Sequence, residues 1–146
     1  MKRHPALEPF SRDHNDGLIL ARKLEEDRPG ALAEFHAGWE QELRDHFEEE
    51  ERLFGPTCTK DELHQLQAEY RAIQKAAFAD SPEPKELGRL LHDHIRWEER
   101  VLFPSLESRM SGTELDALEE QSRLLEARRW PLDPQRERLV RRRWGS

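Results

Sequence analysis

Two pairs of residues stand out as able to do chemistry together. His46 and Glu50, and His94 and Glu98, each lie four residues apart, in segments reading HFEEEERLFGP (46–56) and HIRWEERVLFP (94–104). The segments share the histidine, Glu-Glu-Arg, an apolar pair and a proline at the same offsets, 48 residues apart. Imidazole and carboxylate together suit iron, manganese or zinc. Spacing alone says little, because four of the seven histidines (His4, His36, His46 and His94) have a glutamate four residues on. Such a pair on a helix surface is a minor stabiliser.

Position relative to the apolar stripes decides more. One stripe runs Leu32, Phe35, Trp39, Leu43, His46, Glu50, Leu53; a second runs Leu87, Leu91, His94, Glu98, Val101; a third runs Leu7, Phe10, His14, Leu18, Ala21. Residues at steps of three and four share one face of a helix. Three helices thus turn His14, His46 and His94 toward a common interior, and two of them add Glu50 and Glu98. A buried, unpaired carboxylate is costly. A proton or a histidine hydrogen bond could satisfy one such glutamate. A divalent or trivalent metal satisfies two glutamates and three histidines at once, and bundle interiors house two-metal carboxylate sites.

The third long helix carries Leu63, Leu66, Tyr70, Ile73 and Ala77 on its stripe. His64 lies about 140° from the centre of that stripe at 100° per residue. Geometry favours Tyr70 as the inward residue, ligand chemistry favours His64, and both stand as metal-ligand candidates. A tyrosine in a core also commonly spends its hydroxyl on one hydrogen bond. His36 and His92 read as surface residues, with a supporting role as the alternative for His36 because it borders its stripe; His4 and Cys58 read as bystanders.

The elements that must position these residues are marked by breakers. They divide the 146 residues into helical stretches of roughly 9–27, 31–54, 60–79, 84–103 and 113–128. Pro29-Gly30, Gly55-Pro56 and Ser81-Pro82-Glu83-Pro84 separate the first four; Asp61-Glu62 and Pro84 are helix-start signals. Long helices with short links imply an all-α, up-down-up-down four-helix bundle. The expected organisation is a bundle over 1–112, a fifth helix over 113–129 and a basic C-terminal tail over 130–146. The size is that of one ordinary domain.

Composition narrows the function. Charged residues reach 38%, yet four Trp and six Phe argue against disorder. No apolar run approaches the roughly 20 residues of a membrane span, and the start shows no secretory h-region. A lone cysteine excludes an internal disulfide framework and fits the reducing cytoplasm. The net charge of −7 makes nucleic acid an unfavoured partner. The charge is uneven: residues 122–146 carry eight Arg against Glu126, Asp133 and Glu137. That stretch suits an acidic protein partner. No HExxH helix, GxSxG elbow or glycine-rich phosphate loop is present. Ferritin-type sites use Glu-x-x-His, the reverse order.

The segments RDHNDGL with His14, HFEEEERLF with His46 and Glu50, and HDHIRWEERVLFP with His94 and Glu98 resemble the hemerythrin-like (HHE cation-binding) family over about residues 7–108. The resemblance implies two non-haem irons, with Glu50 and Glu98 bridging them. His14 and His46 would serve one iron, and His94 with Tyr70 or His64 the other. It implies interaction with oxygen, nitric oxide or peroxide, in a sensing, iron-handling or redox-stress role. Two departures separate the chain from the oxygen carriers. AEYRAI offers Tyr70 in place of paired third-helix histidines, and His94-x-x-x-Glu98 replaces a longer His–Asp spacing. Fewer neutral histidines and a phenolate favour ferric iron over reversible oxygen storage. Zinc or manganese fits the same donors. The alternatives are a di-iron enzyme consuming peroxide or oxygen, and a metal-free helical interaction module.

Overall fold

Caps and breakers fix where each helix begins in the computed structural model, which describes residues 3–129. Pro29 and Gly30 separate α1 (Glu8–Glu25) from α2 (Ala31–Gly38), and Gly30 takes a φ of 82°. Glycine reaches that left-handed conformation without a steric penalty. Thr59 and Glu62 exchange side-chain and backbone hydrogen bonds of 3.1 and 2.9 Å, a capping box that opens α4 (Lys60–Ala77). The cap is therefore Thr59, ahead of the Asp61-Glu62 signal, because its hydroxyl reaches the Glu62 amide. Pro84 opens α5 (Pro84–Trp97), where a missing N–H costs nothing. Ser111 and Glu114 exchange a second pair of such bonds where the last helix (Gly112–Arg129) begins.

The second and fourth stretches each contain a π turn. From α2 the chain continues through Trp39–Leu43 into α3 (Arg44–Phe54). From α5 it continues through Glu98–Leu102 into α6 (Phe103–Arg109); with these in place the last helix is α7. A π turn holds one residue more than an α turn and so rotates the later residues about the helix axis. The phase change corrects the expected stripe: Val101 is 49% exposed, and Leu102 takes its place in the core. Pro104 does not stop the helix, which runs on to Arg109.

Among the described residues all regular structure is helical, and no helix is long and apolar enough to cross a membrane. The chain forms two units: Asp13–Arg109, and the segment up to Arg12 together with that from Met110. In the latter, the Ser122 hydroxyl donates to the Ala6 carbonyl, and Leu115, Leu118 and Leu125 are buried. The tail expected over 130–146 lies outside the described residues.

All the candidate ligands belong to Asp13–Arg109. There Ala21, Leu24, Phe35, Trp39, Phe47, Ile73, Leu87 and Leu91 form the core. Contacts run in opposite directions along neighbouring helices. Asp13 meets His46 and Lys23 meets Glu34; His36 meets Ala77 and Glu50 meets Tyr70. Helices α1 and α5 come close together at Gly88, where a Cβ would stand 2.6 Å from the Ala21 carbonyl oxygen and 2.8 Å from the Glu25 nitrogen. Only a glycine permits that distance.

Candidate metal centre

His14 on α1, His46 and Glu50 on α3, His94 on α5 and Glu98 at the start of the second π turn are all buried, none more than 5% exposed. Their polar ends converge. The Glu50 Oε1 lies 2.7 Å from His46 Nε2 and 4.0 Å from His14 Nε2. The Glu98 Oε1 lies 3.0 Å from His94 Nε2 and 3.2 Å from His14 Nε2. Each glutamate thus offers one oxygen between two imidazoles. Among the described residues, two groups could hold a metal ion: His14, His46 and Glu50, and Glu50, His94 and Glu98, with the donor atoms of each within 4.8 Å of one another. Glu50 belongs to both.

Three of the converging atoms, Glu50 Oε1, His94 Nε2 and Glu98 Oε2, are buried without a hydrogen-bond partner. The short His46–Glu50 and His94–Glu98 distances join residues one turn apart along the same helical stretch. They bring the atoms close without aligning donor and acceptor. Buried polar atoms are nearly always hydrogen-bonded, so three that are not, all on residues of the two triads, point to a partner other than the protein's own groups. A metal ion is a partner that accepts lone pairs from all of them.

The surroundings keep the centre dry. The Phe103 ring stacks on His14, centroids 5.5 Å apart, and Phe54 packs edge-on against Phe103. Phe47 stands edge-on to His94 and close to Tyr70, at 5.7 and 4.2 Å. Poorly solvated charges interact more strongly than they would in water.

The charges respond accordingly. Burial lowers the pKa of His14, but hydrogen bonds to Glu98 and Glu99 outweigh it and hold the imidazole at about 9. Burial likewise opposes the charge on His46 and His94. The carboxylates of Glu50 and Asp13, and of Glu98 and Glu69, raise them to about 10. Burial and the neighbouring Glu98 charge push Glu50 up; Glu98 is also desolvated, but His94 and His14 hold it well below the usual carboxylate range. Without a metal, imidazolium rings balance these carboxylates.

Tyr70 turns into the centre as its stripe implies, and its hydroxyl donates to Glu50 Oε2 at 2.8 Å. Burial, then the Glu50 charge, raises the phenol well above its usual pKa. His64 is exposed and belongs to neither triad. His36 sits away from the centre, its Nε2 donating to the Ala77 carbonyl at 2.7 Å and its ring stacked on Phe78. Burial, then Glu62, raises the Cys58 thiol to about 11, which makes it a poor nucleophile.

Three participants are not legible in the sequence. Asp13 lies 3.4 Å from His46 Nδ1, Glu69 accepts from His94 Nδ1 at 2.6 Å, and Glu99 accepts from His14 Nδ1 at 2.7 Å. Each is the sequence neighbour of a residue facing the centre, the one signal in the chain that points to it. Comparison of the chain with protein-family models, curated proteins and solved structures finds no match.

Proposed function

We propose that the chain is an up-down-up-down four-helix bundle of the hemerythrin-like kind, with α7 as an added helix, that binds a non-haem di-iron centre. In this reading it interacts with dioxygen, nitric oxide or peroxide in a sensing, iron-handling or redox-stress role. The observation that carries the reading is the convergence of His14, His46, Glu50, His94 and Glu98 on one buried place, where three polar atoms of Glu50, His94 and Glu98 make no hydrogen bond. The opposed directions of the helix contacts support the bundle.

The donor set fits two ions. His14 and His46 would hold one, His94 the other, and Glu50 and Glu98 would lie between them. Iron there would supply redox chemistry toward a small ligand. The chain's own residues do the rest. Glu50 and Glu98 neutralise the cations, Phe103, Phe54 and Phe47 limit water, and Tyr70 holds Glu50 Oε2. Zinc and manganese suit the same imidazole and carboxylate donors, and iron is chosen here on the resemblance of the ligand segments to the hemerythrin-like family.

Metal content and the visible spectrum of protein produced with added iron test this. About two irons per chain, lost together in Glu50→Ala, is the expected result. A folded protein without bound metal overturns the reading and leaves a helical interaction module.

A further inference from the structure

The three buried histidines are each held from both sides. One ring nitrogen faces Glu50 or Glu98, and the other meets a carboxylate from a different helical segment. Asp13 of α1 meets His46 of α3 at 3.4 Å, Glu99 of the second π turn meets His14 of α1 at 2.7 Å, and Glu69 of α4 meets His94 of α5 at 2.6 Å. The braces share one construction. Asp13 precedes His14, Glu69 precedes Tyr70 and Glu99 follows Glu98. One residue along a helix is a rotation of 100°. A neighbour of an inward residue therefore points along the wall, toward the next helix, where it meets that helix's histidine. The side chains of these acids are 19–27% exposed while the rings they meet are at most 6% exposed. An ordinary surface acid would remain in water; these three give up most of it to face a ring nitrogen.

A carboxylate can only accept a hydrogen bond. Each acid therefore places the proton on Nδ1, and the ring turns Nε2 toward the centre. Metal-binding histidines commonly depend on such a partner for ring orientation and donor strength.

We propose that Asp13, Glu69 and Glu99 are positioning residues of the metal centre: together they fix the tautomer and plane of His46, His94 and His14, strengthen Nε2 as a donor, and add negative charge that favours the more highly charged oxidation state of the ion. The proposal rests on the metal reading above. It differs from that reading in assigning affinity and redox preference to residues that touch no ion.

The test uses the full chain and its Asp13→Asn, Glu69→Gln and Glu99→Gln variants, each of which keeps an acceptor oxygen and loses the charge. Glu51→Gln is the control: Glu51 is the neighbour of Glu50 but accepts from Gln67 rather than from a histidine. Anaerobic Fe2+ titration against a chelator of known affinity measures binding, and a mediator titration of the iron-loaded protein measures its midpoint potential. Circular dichroism confirms that each metal-free variant is helical; a brace variant that is not is replaced by the Asp or Glu counterpart, which keeps the charge at altered reach. Each brace variant is expected to bind iron about 10- to 100-fold more weakly than the parent chain and to have a higher potential. Glu51→Gln is expected to change neither. Brace variants that match Glu51→Gln in both measurements overturn this proposal while leaving the metal centre standing. A parent chain that binds no iron overturns both.

Discussion

His14 donates from both ring nitrogens, to Glu99 from Nδ1 and toward Glu98 from Nε2, which requires the imidazolium. Its pKa of about 9, and those of about 10 for His46 and His94, exceed the ordinary value of 6.5. The folded metal-free chain therefore keeps protons that the unfolded chain releases near pH 6.5. A group raised in the folded state contributes its full stabilisation below its unfolded pKa and loses it as pH rises through the folded one. The metal-free protein is thus expected to lose thermal stability steadily from about pH 6.5 to about pH 10; a melting temperature unchanged across that range would show that the rings are neutral. Tyr70 provides a second residue-scale prediction. Its hydroxyl is the hydrogen-bond donor to the buried Glu50 Oε2. Tyr70→Phe strands that acceptor and is expected to cost about 1–3 kcal/mol of metal-free stability by chemical denaturation. In iron-loaded protein, a visible band lost in Tyr70→Phe and kept in His64→Ala would mark the phenolate as a ligand. A band kept in both would leave it as a donor to Glu50.

At the scale of the element, α1, which carries His14, and α5, which carries His94, come close together at Gly88. Replacing Gly88 by Ala gains up to about 1 kcal/mol of helix propensity. The new Cβ would meet backbone atoms at 2.6 and 2.8 Å, which cannot rotate away. Overpacking of that kind costs about 1–3 kcal/mol, so Gly88→Ala is expected to destabilise the chain and weaken metal binding. Gly17→Ala is the contrasting case, because its Cβ would meet only the flexible Ile95 side chain, with Cδ1 nearest at 2.7 Å. It is expected to be close to neutral, and denaturation midpoints of the two variants measure the difference. The same elements show what the sequence can reveal. Breakers mark out the long helices, and apolar steps of three and four along the first four stretches place His14, His46, Glu50, His94, Glu98 and Tyr70 inward, because burial is a local periodic property. The π turns are invisible to that periodicity, which accordingly puts Val101 where Leu102 lies. Asp13, Glu69 and Glu99 escape it for a related reason. Their role depends on which helix stands beside them, and tertiary neighbours leave no repeat in the chain.

At the scale of the whole molecule, charge balance links folding to metal uptake. The metal-free centre is held together by imidazolium–carboxylate pairs, so an ion binding at Nε2 must displace a proton from each ring it uses. Every proton displaced makes binding about tenfold tighter per pH unit, for as long as the ring stays protonated without the ion. Between pH 6 and pH 8 all three rings lie below their folded pKa values of about 9 to 10. Ligand binding to the folded state adds RT ln(1 + [L]/Kd), about 2.7 kcal/mol at a hundredfold excess over Kd. The rise in melting temperature on adding Fe2+ without oxygen is therefore expected to grow from pH 6 to pH 8, while the metal-free protein itself melts at a lower temperature over part of that range. The two trends oppose one another and share one cause, the protons on His14, His46 and His94. Calorimetry in buffers of different ionisation enthalpy reads those protons directly. An increment independent of pH, with no protons released, would mean that the ion avoids the imidazoles and binds carboxylates alone.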